Sequence, residues 1–291
     1  MAIGRSSNLT SPQYARRRRE QLIRQSIVAS VSLLIILASV ILIARLSIFQ
    51  IQSVQVEGNS VTATSDVQAK IAELTDGNYL WVFPKSNVLL YPKRAILSAI
   101  KQQWFRVEVV SAGLDGQWRG EATLTMRIGE RTPVYVWCGV LAPAVVQAGS
   151  GNEQCQYSDE KGYLYAEAAS FSGTPYVKLY GGLAPGTSPL GAHFLASSTP
   201  DAFGSALSFV SAIGGVDFFG ASFKPMALIA KENNEFEVVT AGGTRIFFTL
   251  DQDIQRSIEA FRRVVDSENL TSARVEYLDL RYGNKVYYKK Q

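Results

Sequence analysis

Apolar positions along this chain follow three different patterns, and each predicts its own kind of structure. From Gln25 to Ala44 they are nearly continuous: QSIVASVSLLIILASVILIA holds no formal charge over 20 residues, between Arg24 and Arg45. At ~1.5 Å per residue the run makes a helix about 30 Å long, the thickness of a bilayer hydrocarbon core. A transmembrane helix over 25–45 is therefore expected. It lacks a GxxxG face and any ionisable residue, so it reads as a tether.

From Ile51 to Glu130 the apolar positions come in short periodic groups. Ile51–Glu57 reads as a strand closed by the turn Gly58–Asn59. Thr64 or Ser65 is placed to cap a helix near Asp66 that carries Val67, Ile71 and Leu74 on one face and stops at Gly77–Asn78. Tyr79–Phe83 (YLWVF) is an apolar link ended by Pro84. A second helix begins around Pro92 and stacks Ile96, Leu97 and Ile100. Trp104–Ser111 is a strand, Leu114–Gly120 a turn region, and Glu121–Glu130 alternates strictly, with Ala122, Leu124, Met126 and Ile128 on one face. Strand, helix, helix, strand, strand would bury this pattern as one three-stranded sheet with two helices on one face.

Beyond Arg131 short strands dominate. Val134–Cys138, Cys155–Ser158, Tyr163–Ala166 and Tyr176–Tyr180 read as strands, the second and third forming a hairpin over the turn Asp159–Gly162. Residues 181–199 form a Gly/Pro/Ser loop, and Thr199–Pro200 opens a helix with Phe203, Leu207 and Val210 on one side. Met226–Lys231, Glu235–Thr240 and Thr244–Leu250 make a meander with turns at Asn233–Asn234 and Gly242–Gly243. Asp251 starts the last helix, in which Ile254, Ile258, Phe261 and Val265 share a face. Arg274–Arg281, the turn Tyr282–Asn284 and Lys285–Lys289 close the chain. The whole is expected to be α+β: one span, a small β-α-α-β-β module over 48–130, then a mostly antiparallel β domain over 131–291 with peripheral helices.

Charge adds a topology. The chain has 29 Lys/Arg and 25 Asp/Glu, but six arginines (Arg5, Arg16–Arg19 and Arg24) stand before the apolar run against Glu20 alone. The rest is near neutrality, so no nucleic-acid binding is expected of the folded part. Residues 1–24, poor in apolar side chains, are expected to be a cytoplasmic basic tail that does not fold alone and is drawn to anionic lipid. Arginine beside a span favours the cytoplasmic side, which puts 46–291 outside. A cleaved signal peptide also begins basic and then apolar; the length of this run and the lack of an A-x-A site at its end favour an uncleaved anchor.

The search for chemistry returns little. Ser158-Asp159-Glu160-Lys161 has S-x-x-K spacing, but the four residues lead into Gly162 in a turn, and no SxN or KTG partner follows. No HExxH, GxSxG, Walker or GxGxxG element is present. Asp251 and Asp253 read as helix caps, Asp279 as an ion-pair partner of Arg281, and His193 as a solvated loop residue. No catalytic group, metal, cofactor or small-molecule substrate is expected. Cys138 and Cys155, 17 residues apart, either close a hairpin as a disulfide outside the membrane or remain thiols; with one histidine they are too few for a zinc site. The aromatic ending Tyr282, Tyr287, Tyr288 reads either as cross-strand packing or as a sheet edge that accepts another chain.

The stretches VQVEGNSV, GNYLWVF and YPKRAI, the junction E-R-x-P-V-x-x-W over Glu130–Trp137, the Asp-x-x-Gly turn in QYSDEKGYLY and the ending YLDLRY resemble the FtsQ/DivIB family of bacterial cell-division proteins. Residues 139–154 and much of 181–222 fall outside the resemblance. It implies a short cytoplasmic tail, one span in the cell membrane, a POTRA domain and an FtsQ-type β domain outside, located at the division septum and without enzymatic activity. It further implies FtsB-like and FtsL-like bitopic partners, the former adding a strand at the C-terminal edge. Carried over, the binding face is Arg281, Tyr282, Lys285, Val286, Tyr287 and Tyr288. A POTRA protein of secretion or outer-membrane assembly and a membrane-anchored cell-wall enzyme are the alternatives.

Overall fold

The computed structural model describes residues 12–116, 120–195, 201–214, 217–218, 221–270, 275–283 and 285–291. It is a mixed α+β protein with one long apolar N-terminal helix and a large, mostly antiparallel sheet. The chain divides into two compact units. One runs up to Ile100 and includes Val110–Ile128; the other comprises Lys101–Val109 and Gly129–Gln291.

The first unit opens with α1, Pro12–Ala44. Its part Arg16–Ala44 is long and apolar enough to cross a membrane. The helix begins earlier than the apolar run: the arginine-rich residues expected to stay unfolded continue it from Pro12. Once a helix is nucleated each added residue costs little, Arg and Gln are good helix formers, and Arg16 pairs with Glu20 one turn on at 3.6 Å. Residues 1–11, with Arg5, lie outside the described residues.

After a 3-10 turn at Ser47–Phe49 come β1 (Ser53–Glu57), α2 (Thr64–Thr75), a short hairpin of β2 (Asn78–Tyr79) and β3 (Phe83–Pro84), α3 (Lys93–Gln103), β4 (Val107–Asp115) and β5 (Thr123–Glu130). The sheet order is β1-β5-β4, with β1 and β5 parallel from Ser53↔Thr123 to Glu57↔Arg127. Val67, Ile71, Ile96, Ile100, Leu124 and Met126 are fully buried, as their periodicity predicts. α2 starts two residues before Asp66. Ala63 stands at its cap without a side-chain bond, while the Asn59 amide ties the entry by donating to the Thr62 carbonyl at 2.6 Å and to Thr64 Oγ1 at 3.0 Å. The link Tyr79–Phe83 is the hairpin, and β4 extends to Asp115, into the expected turn region.

The second unit carries β6 (Tyr135–Trp137), β7 (Gln156–Ser158), β8 (Leu164–Glu167), β9 (Val177–Tyr180), α4 (Ala202–Gly214), the pair β10 (Asp217–Phe218) and β11 (Ala221–Ser222), β12 (Pro225–Ala230), β13 (Glu235–Thr240), β14 (Arg245–Thr249), α5 (Ile254–Ser267), β15 (Val275–Tyr282) and β16 (Lys285–Lys290). Nine of the strands form one sheet in the order β16-β15-β14-β13-β12-β9-β6-β7-β8. The meander β12–β14 turns where expected, through Asn233 and Asn234 at φ 57° and 55°. Three neighbouring pairs are parallel, β14 with β15, β9 with β12 and β6 with β9. The β14–β15 connection contains α5, as parallel neighbours require a crossover.

The core lies on one face of this sheet. Phe236, Val238, Ile246, Phe248, Leu278 and Leu280 point to it and meet Phe209 and Ile213 of α4 and Ile258, Phe261 and Val265 of α5. Phe209 stacks on Phe248 at 4.2 Å between ring centroids. α5 is capped by Asp253, whose carboxylate accepts from Gln255 N at 2.9 Å, and not by Asp251, which accepts from the Asn234 amide at 2.9 Å. The expected start of α4 at Thr199–Pro200 and parts of the last turn and strand, Asn284 and Arg274, lie outside the described residues.

Candidate partner-binding edge

The last two strands bring together the six residues named from the sequence, though in different roles. β16 pairs antiparallel with β15, with Leu278↔Tyr288 and Asp279↔Tyr287 opposite each other. Because side chains alternate, Val286 and Tyr288 turn toward the core face beside Leu278. Tyr287 turns the other way and meets Tyr282 edge to face at 5.2 Å, both rings remaining exposed. Lys285 is exposed, opposite Tyr282. Tyr288 bonds to Glu268 of the α5 cap, which raises the phenol and lowers the carboxyl.

Arg281 is the least free of the six. Its guanidinium binds Asp279 at 2.6 Å and Glu235 at 2.6 Å, and lies 5.3 Å over the Phe247 ring. Hydrogen bonding to Asp279, then to Glu235, raises its already high pKa, so it stays charged. It is the outer member of a charged and aromatic row on the sheet face opposite the core. Further along the row Glu237, almost fully buried, is held by Lys231 at 2.7 Å and by Arg245. The row leads to the edge and presents Tyr282 and Tyr287 there.

The two sheet edges are treated differently. β8 is covered at its start: Leu164 N donates to Ala192 O at 2.9 Å, Gly191 N to Leu164 O at 2.8 Å, and Tyr163 bridges His193. β16 has no strand on its outer flank and, among the described residues, no backbone hydrogen bond there. An uncovered edge is a row of unpaired N–H and C=O groups. It is partly blunted: β15 carries an extra residue between Val275 and Tyr277 and between Asp279 and Tyr282, which twists the pair. Lys289 and Lys290 are paired with Glu276 at 2.6 Å and Glu268 at 3.4 Å.

The other candidates sit elsewhere. Cys138 and Cys155 are joined as a disulfide. They follow β6 and precede β7, where Trp137 faces Gln156, so the bond extends that register by one pair and closes the base of 139–154. The cysteines and Glu153 form the only metal-ligand grouping among the described residues, and both sulfurs are spent on the disulfide. Ser158 is buried and donates to the Asp159 carbonyl at 3.2 Å, whereas Lys161 pairs with Glu108 at 3.0 Å; each is engaged apart from the other.

Two features escape a reading by periodicity. Residues 140–146 wall a cleft of about 1140 Å³ whose opposite side is β12–β13, with Glu237, Lys231 and Arg245 in its lining. The second is the tie between junction and hairpin: Arg131 binds Asp159, lies 4.2 Å over the Tyr163 ring and donates to Phe105 O at 3.3 Å. Asp159 also accepts from Lys161 N and Tyr163 N at 2.9 Å each.

Fold and edge together define a class: an α+β protein with one candidate membrane span and a large sheet open on its C-terminal side. Comparison with models of known families gives no match, and comparison with curated proteins gives none either.

Proposed function

We propose that this chain is a non-enzymatic, single-pass scaffold of the FtsQ/DivIB kind, its N-terminus in the cytoplasm and 46–291 outside. In this reading it acts in the cell membrane at the division septum, and 48–130 is a POTRA docking module. The edge strand β16 accepts a strand from an FtsB-like bitopic protein that also associates with an FtsL-like one. Main-chain hydrogen bonds supply affinity and Tyr282 and Tyr287 frame the side-chain contacts.

The observation that carries this reading is the contrast between the edges: β8 is covered at its start by residues 191–193, and β16 is left open with two exposed tyrosines beside it. The resemblance of the sequence supplies the choice of partner. The test is co-purification of an FtsB-like partner with the full chain. Val286→Pro removes a backbone donor and is expected to abolish capture. Because Val286 also touches the core, Tyr287→Ala is the companion: its exposed ring touches Tyr282 and not the core. It weakens capture about tenfold, near 1.4 kcal/mol, while thermal unfolding stays cooperative and shifts by no more than that ring pair contributes, about 0.5–1.5 kcal/mol. Full-yield capture by a chain truncated before Lys285 would overturn the reading.

A further inference from the structure

The first unit displays its most exposed large apolar side chains around the foot of α1. Leu80 is 82 % exposed, Trp81 92 % and Leu89 77 %. Both loops that carry them are bonded to the helix end. Arg45 Nε donates to Val82 O at 3.1 Å and its Nη2 to Trp81 O at 3.5 Å. The buried Asn87 donates its side-chain N–H to Ala44 O, the last carbonyl of α1, at 2.9 Å, and its Oδ1 accepts from Leu89 N at 2.9 Å.

Leu80 and Trp81 form the tip of the β2–β3 hairpin at φ 50° and 66°. A left-handed tip is where glycine or asparagine is at ease and a bulky side chain is strained. Here the chain places two of its most water-averse residues in that conformation and turns them outward. Such strain marks a place where something outside the fold is met.

From these contacts we propose that Leu80 and Trp81, with Leu89 and its neighbour Leu90, enter the headgroup–acyl boundary of the leaflet from which the C-terminal end of α1 emerges. The inference rests on α1 being a membrane span. Arg45 is the first charge after the apolar run and therefore marks the interface. Since its guanidinium holds the carbonyls of Trp81 and Val82, the hairpin tip lies at that same level. Tryptophan is enriched at this depth because its ring is apolar and its N–H polar. Lys93 and Arg94, exposed in the first turn of α3 just beyond Leu90, oppose the helix dipole there and gain from lipid phosphate. The occupant of this surface is thus lipid, and the loops fix how the first unit meets the bilayer.

The test reconstitutes the full chain in vesicles of phosphatidylcholine brominated close to the headgroup end of its acyl chains and reads tryptophan fluorescence. Quenching in the native protein that is lost in Trp81→Phe is the expected result. As a control for the span, Leu37→Trp in the Trp81→Phe background is read with lipid brominated near the chain ends. If that control is quenched but native protein and Trp81→Phe respond alike to the shallow bromines, the tip is outside lipid and the inference alone is wrong. If the control is not quenched, the span reading fails and this inference fails with it.

Discussion

Arg131 shows how much one side chain in this protein is asked to do. It stands in the E-R-x-P-V-x-x-W junction, yet its guanidinium closes on Asp159 in a turn 28 residues later and covers the Tyr163 ring. Arg131→Ala leaves a buried carboxylate with two backbone donors and no counter-charge. It is predicted to cost about 3–5 kcal/mol, read as a lowered urea midpoint. Glu237 invites a test by pH. Burial by itself raises its carboxyl pKa, and the hydrogen bonds from Arg245 and Lys231 outweigh that and hold it below the ordinary range. A carboxyl depressed in the fold adds stability that is complete above its unfolded value, about 4.3, and is lost as pH falls through the folded value. Glu237→Gln is accordingly expected to cost about 1–3 kcal/mol at neutral pH and to flatten the acid limb of the stability–pH curve. A curve parallel to that of the native protein would remove this role.

At the scale of elements, what was legible in the sequence was local. Alternation over 121–130, the 3–4 spacing of Val67 and Ile71 and of Ile254, Ile258 and Phe261, and the Asn233–Asn234 turn each carry their own physical signal. What was not legible depends on partners distant in sequence. The parallel pairs β6–β9, β9–β12 and β14–β15 follow from crossovers, and a strand does not encode its neighbour. The hairpin at Tyr79–Phe83 was hidden because leucine and tryptophan at its tip are the wrong residues for a left-handed turn. The six residues of the candidate edge were found as a stretch, but the inward turn of Val286 and Tyr288 and the capture of Arg281 by Asp279 and Glu235 needed the register. The disulfide is a further element-scale case. It closes a loop of about 16 residues, for which chain entropy gives roughly 3 kcal/mol. Reduction is predicted to lower stability by that order, measured as a shift of the urea midpoint with and without reductant.

For the whole molecule, the decisive quantity is which side of the membrane each end occupies. The arginines before the span and the near-neutral chain after it predict that a periplasmic reporter such as alkaline phosphatase is active when fused after Gln291 and inactive when fused before Met1. The reverse pattern would place the open edge in the cytoplasm, out of reach of a partner strand outside. The chain divides into two compact units, and the lipid contact proposed for the first and the strand capture proposed for the second are separately testable. Depletion that yields filamentous cells would connect them to septation; an altered outer-membrane protein profile would speak for secretion instead.

The bond between Cys138 and Cys155 also makes residues 138–155 a closed ring, with Leu141 and Val145 exposed on its circumference. A ring can be cut once without coming apart. A protease acting beside Leu141, in whichever compartment holds the domain, would leave two polypeptides that travel as one molecule, heavier by a single water, until a reductant separates them. The sheet passes β6 and β7 on either side of that cut, so the strands stay paired and the open edge stays presented. For a protein exposed to whatever enzymes share its compartment, the loop is a place where the chain can be broken and the assembly kept.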